Sequence, residues 1–94
     1  MPSKKHAHKY VRITYIKWLL DEPEPLRRLV YIGITMHPPS VGKRFTLVVG
    51  DSGMVRIIAF SATKNMRVVD NKVYFQTEDS EYSYEEISSH SLVG

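Results

Sequence analysis

Tyr10-Val11-Arg12-Ile13-Thr14-Tyr15-Ile16-Lys17-Trp18-Leu19-Leu20 decides the fold class. Its first half alternates apolar with polar, a period of two, which is the signature of a half-buried strand. Val11, Ile13 and Tyr15 form the expected inner face; Arg12, Thr14 and Lys17 form the outer one. An amphipathic helix is the competing reading. It is disfavoured because Val, Ile, Thr and Tyr all lose χ1 freedom in a helix. Trp18-Leu19-Leu20 breaks the alternation, as a bulge or a strand covered on both sides would.

Outward from this stretch, turn signals alternate with short apolar runs. Asp21-Glu22-Pro23-Glu24-Pro25 stops the first strand, since each proline also restricts the residue before it. Leu26 to Met36 reads as a second strand, with Val30, Ile32, Ile34 and Met36 on one side and Leu29, Tyr31, Gly33 and Thr35 on the other. A glycine inside a strand marks a bulge, a bend or a close backbone approach. His37-Pro38-Pro39-Ser40-Val41-Gly42 is a second stop. Phe45–Val49 and Met54–Phe60 read as a hairpin around Gly50-Asp51-Ser52-Gly53. Ser61–Asn65 is expected as a loop with room for one helical turn. Met66–Val69 and Val73–Thr77 then flank Asp70-Asn71, two residues that tolerate positive φ. Tyr82–Ile87 is a candidate seventh strand.

Roughly six or seven short strands with turn signals every 8–12 residues or so predict an all-β domain. Strands this short leave fewer bare edges when the sheet curls. The expected architecture is a small antiparallel, partly open barrel, SH3-like or OB-like. One domain fits residues 10–87, preceded by a basic arm over 1–9 and followed by a polar tail over 88–94. The length of 94 residues admits a single core, and 43% hydrophobic residues is an ordinary globular composition.

The second half bears a resemblance to a known group. Val41-Gly42-Lys43-Arg44-Phe45, a loop with Ser61 and Thr63, and Val73-Tyr74-Phe75-Gln76-Thr77-Glu78-Asp79-Ser80-Glu81-Tyr82 carry it. This resembles small uncharacterised β-barrel proteins of bacteria and their phages. In those, a strand ending in an aromatic-x-Thr step runs into Asn-Ser-x-Tyr; here Asp79 stands in the Asn place. The resemblance covers about half the chain and implies a barrel, with no activity attached.

The chemistry-bearing residues form no catalytic motif. With no cysteine there is no disulfide, thiolate metal site or Cys nucleophile. His6 and His8 sit beside Lys4, Lys5 and Lys9, which repel a dication; His37 and His90 have no local carboxylate companion. Gly50-Asp51-Ser52-Gly53 lacks the spacing and the following helix of a nucleophile elbow. Gly42-Lys43-Arg44 lacks the upstream glycines of a phosphate loop. The acids Glu78, Asp79, Glu81, Glu85 and Glu86 match no calcium-loop spacing and read as a solvated strand end, or as a patch for a basic protein partner. No catalytic residue, metal or cofactor is expected.

Charge is unevenly spread. Residues 1–47 hold nine Lys/Arg against three acids, and residues 48–94 hold four against seven, for a net +3. Barrel hairpins would bring the halves together and neutralise them; alternatively the basic half serves an anionic partner. Tyr10, Tyr74, Tyr82 and Tyr84 are the aromatics that period-two counting leaves outside. Exposed tyrosines beside cations stack single-stranded bases in OB-type folds. On that reading Lys4, Lys5, Lys9, Tyr10, Arg12, Lys17, Arg27, Arg28, Lys43 and Arg44 bind nucleic acid, single-stranded or RNA. The alternative is a protein-interaction or regulatory module, such as a phage-type protein docking on a host enzyme. An exposed edge strand also allows a homodimer. The N-terminus has no apolar h-region, and no stretch is apolar enough to span a membrane, so a cytoplasmic protein is expected.

Overall fold

The computed structural model describes residues 9–51 and 53–87, and these described residues form seven antiparallel strands and no helix. They are β1 (Lys9–Trp18), β2 (Val30–Thr35), β3 (Arg44–Asp51), β4 (Met54–Ala62), β5 (Asn65–Val69), β6 (Lys72–Gln76) and β7 (Ser80–Glu86). Their order in one sheet is β4-β3-β2-β1-β7-β6-β5. Two meanders, β1–β4 and β5–β7, are joined where β7 lies against β1. The arm before Lys9 and the tail after Ile87 lie outside the described residues.

The first strand behaves as its alternation dictates. Val11 and Ile13 are fully buried, and the register against β7 shifts between Tyr15 and Lys17, where the period-two pattern fails. Several other boundaries move. β2 starts at Val30 rather than Leu26: Arg27 turns back over the Tyr15 and Trp18 rings, so the segment after Pro25 leaves the sheet. The expected loop and helical turn at Ser61–Asn65 is instead strand that reaches Ala62 and resumes at Asn65. Between them Thr63 donates its N–H to the Lys43 carbonyl at 3.0 Å, and Lys64 donates to Gln76 at 2.6 Å. The chain thus crosses from one sheet edge to the other in two residues. Asp70 and Asn71 take positive φ (52° and 67°), as a tight β5–β6 turn requires.

Curling brings the sheet's two wings together around aromatic rings. Phe45 and Phe60 come from β3 and β4; Phe75, Tyr82 and Tyr84 come from β6 and β7. Phe45 meets Phe75 at 5.5 Å between centroids, and Phe60 meets Tyr82 edge-on at 5.0 Å. Tyr82 and Tyr84, expected outside, are therefore core residues. The register explains it: Tyr82 pairs with Tyr15 and Tyr84 with Ile13, and directly opposed residues share a face. β4 and β5 are the sheet's edges, which leaves the barrel partly open.

The same rule fixes β2. Gly33 pairs with Val11 and Tyr31 with Ile13, so Tyr31, Gly33 and Thr35 point inward. A Cβ on Gly33 would collide with the Val48 carbonyl oxygen and sit 3.0 Å from Val49 Cγ1. β3 crosses β2 at this point, and their only register pair is Ile34 with Val48. Thr35 Oγ1 donates to the Thr46 carbonyl (3.0 Å) and holds the strands where they diverge. Gly33→Ala is expected to lose on the order of 2 kcal/mol or more, because a backbone oxygen cannot step aside as a side chain would. Urea denaturation checks it through a lower midpoint.

Candidate functional site

The inward turn of Gly33 sends the more apolar side of β2 outward. Val30, Ile32, Ile34 and Met36 face away from the core. Ile34 lies opposite Tyr10 on β1 and Val48 on β3, and Val48 lies opposite Ile57 on β4. One outward row, Tyr10–Ile34–Val48–Ile57, therefore crosses four strands. With Met36, His37, Thr35 and Thr46 these residues line an open depression of about 760 Å³. Val55 and Ile57, on the β4 edge, are each 72% exposed. Contiguous apolar surface of this kind marks a docking face more often than a scattered exposed residue does.

Beyond the His37 end the surface becomes cationic. His37, Ser40, Lys43 and Arg44 border a second depression of about 320 Å³ that shares His37 and Thr46 with the first. Lys43 and Arg44 are exposed and adjacent. The other cations expected to touch phosphate are distributed differently. Lys9 Nζ lies 3.7 Å from Glu86 and Arg12 Nη1 lies 3.2 Å from Glu85. Arg27 stacks on Tyr15 and Trp18 and donates to Ser80 Oγ and Tyr82 Oη, each at 3.1 Å. Arg28 lies over Tyr31 (5.5 Å), and Lys17 is exposed on β1. Lys4 and Lys5 lie outside the described residues. Among the described residues the structure thus keeps Lys43 and Arg44 side by side and exposed, sets Lys9 and Arg12 against acids, and gathers these cations on no single basic face.

The acids divide in the same way. Glu85 and Glu86 answer Arg12 and Lys9. Asp79 Oδ1 accepts from Ser80 Oγ (2.9 Å) and Thr77 Oγ1 (3.2 Å), stapling the β6–β7 turn; Glu78 is exposed there. Glu81 departs from the expected solvated strand end. It is 2% exposed, with Oε2 held 3.1 Å from Arg67 Nη2, whose guanidinium also lies over the Tyr74 ring. Burying a carboxylate demands such a partner. Among the described residues no three histidines and carboxylates converge on a metal-sized space. Among the described residues no helix is long and apolar enough to cross a membrane.

The chain matches no family model, and no curated protein or solved structure is detectably similar to it.

Two expectations follow from the polar groups. Arg67→Ala leaves Glu81 buried without its counter-charge and is expected to lose about 2 kcal/mol, less than a fully buried pair because Arg67 itself is largely exposed. Adding Glu81→Gln should recover part of that loss, read from chemical denaturation of the single and double variants. Tyr84 is pushed up from 10.0 to about 12 by burial and then by the Glu86 carboxylate, which its hydroxyl meets at 3.3 Å. Burial chiefly, then Glu24, raises Tyr15 likewise to about 12. The fold favours both neutral phenols. Their contribution is complete below pH 10 and is lost as pH climbs towards 12. Thermal denaturation across that range should show the decline, and Tyr84→Phe should remove part of it.

Proposed function

We propose that this chain is a non-enzymatic protein-interaction module that docks through the outward face of β1–β4. The observation that carries the reading is the uninterrupted apolar row Tyr10–Ile34–Val48–Ile57, which crosses four neighbouring strands on one outward face and lines one continuous depression. Leaving this row in water forgoes roughly 25 cal/mol for each Å² that a partner could cover. Tyr10 adds the amphipathic ring that interface centres favour. Lys43 and Arg44 at one end suit the polar rim of an interface, where charge guides approach and register.

A second reading is supported by those same two residues. Lys43 and Arg44 beside the smaller depression offer cationic groups to a single-stranded nucleic acid, with Tyr10 nearby as a stacking ring. The pairing of Lys9 and Arg12 with acids weighs against it, since phosphates would compete with carboxylates already in place.

Affinity capture from a lysate of the source cells, with and without nuclease, separates the two. The expected result is a stoichiometric protein that survives nuclease and disappears with Ile57→Glu. Material that is lost on nuclease treatment and with rising salt, and that ignores Ile57→Glu, would overturn the docking reading in favour of nucleic acid.

A further inference from the structure

The β1–β4 face has properties that select its occupant. The first is extent. Met36 is 55% exposed, Val55 and Ile57 72%, Val30 and Ile32 43%, Tyr10 and Val48 38%. Together these side chains offer on the order of 700 Å², above the ~300–600 Å² of the largest patch on a typical monomer and close to the ~800 Å² each partner gives a standard interface. An occupant must therefore be a folded surface of similar size; a short peptide would cover only a fraction.

The second property is charge. No ionisable carboxylate, lysine or arginine lies in the row. Arg12, which borders it on β1, has its charge met by Glu85 on β7. The centres of two identical faces can therefore meet without opposing bare like charges, with Lys43 and Arg44 left at the rim, and a strongly charged partner would find no counter-charge at the centre. Interfaces between copies of one chain are the more apolar class.

The third property is relief. The patch holds a depression lined by Ile34, Val48 and Ile57, and Val55, two places along β4, lies exposed next to it on the edge strand. A two-fold axis running along the strands sets the exposed β4 side chains of each copy over the other's depression, the self-complementarity an isologous interface requires.

We infer that the occupant is a second copy of this chain: two protomers pack β1–β4 face to face about a two-fold axis. This rests on the docking reading above and names the partner. Stacked sheets sit about 10 Å apart, so the paired faces form a shared apolar layer outside each barrel. A domain with so small a core gains stability from that layer.

Sedimentation velocity on the full chain, over a wide micromolar range, tests this. The expected species has twice the 10.9 kDa chain mass. Ile57→Glu and, separately, Val55→Lys are expected to weaken the dimer at least about a hundredfold, because each places a charge in an apolar interface. Both sites are exposed, and circular dichroism should keep its β signature. A wild-type chain that stays monomeric throughout overturns the dimer. So does a dimer indifferent to both substitutions, which would place the contact on another surface. If the chain is monomeric yet Ile57→Glu still abolishes protein capture from lysate, docking stands and only the self-partner falls. If Ile57→Glu changes neither mass nor capture, both readings fall.

Discussion

Everything in this domain depends on the meeting of aromatic rings across the barrel. β3 and β4 lie at one side of the strand order and β6 and β7 at the other, with β2 and β1 between them. Contact of Phe45 and Phe60 with Phe75, Tyr82 and Tyr84 is what turns a twisted ribbon into an enclosed core. Large rings suit the task, because each buries much apolar area and tolerates edge-to-face geometry. A 94-residue chain has few other means of filling a barrel interior.

Once those rings face inward, register carries the consequence around the sheet. Tyr84 sets Ile13, Ile13 sets Tyr31, and Tyr31 sets its neighbour Gly33 two places on. Gly33 must be bare because the β3 backbone crosses directly over it. The alternation of β2 then leaves Val30, Ile32, Ile34 and Met36 no choice but the outside. The exposed apolar face is thus a by-product of how the core closes as much as a feature of composition. A period of exactly two residues allows no compromise between the faces.

Charge plays a quieter part. The basic first half and the acidic second half meet along the β1–β7 seam, where Arg12 finds Glu85 and Lys9 finds Glu86. Such exposed pairs add little stability, but they offset the charges of Arg12 and Lys9 along the β1 side of the apolar row. Arg67 and Glu81 are the exception, since burial makes that pair a structural requirement. Arg27 is another: its guanidinium caps two aromatic rings and joins the β1–β2 connection to β7. Counted in sequence these arginines look alike; in the fold they have unlike roles.

The all-β class, the inner positions Val11 and Ile13 and the tight turn at Asp70-Asn71 were legible from the chain, because period-two alternation and turn chemistry are local properties. Alternation also separated the two sides of the second strand, and Gly33 marked a bulge, a bend or a close approach, of which the structure shows the last. What it could not determine was which side faces the core, since either set is apolar enough; only pairing with β1 decided that. The burial of Tyr82, Tyr84 and Glu81, and the division of cations between acids, rings and solvent, likewise came from tertiary structure. Residues some seventy positions apart, such as Arg12 and Glu85, become neighbours only when the sheet curls, and no local pattern encodes which charges that closure brings together.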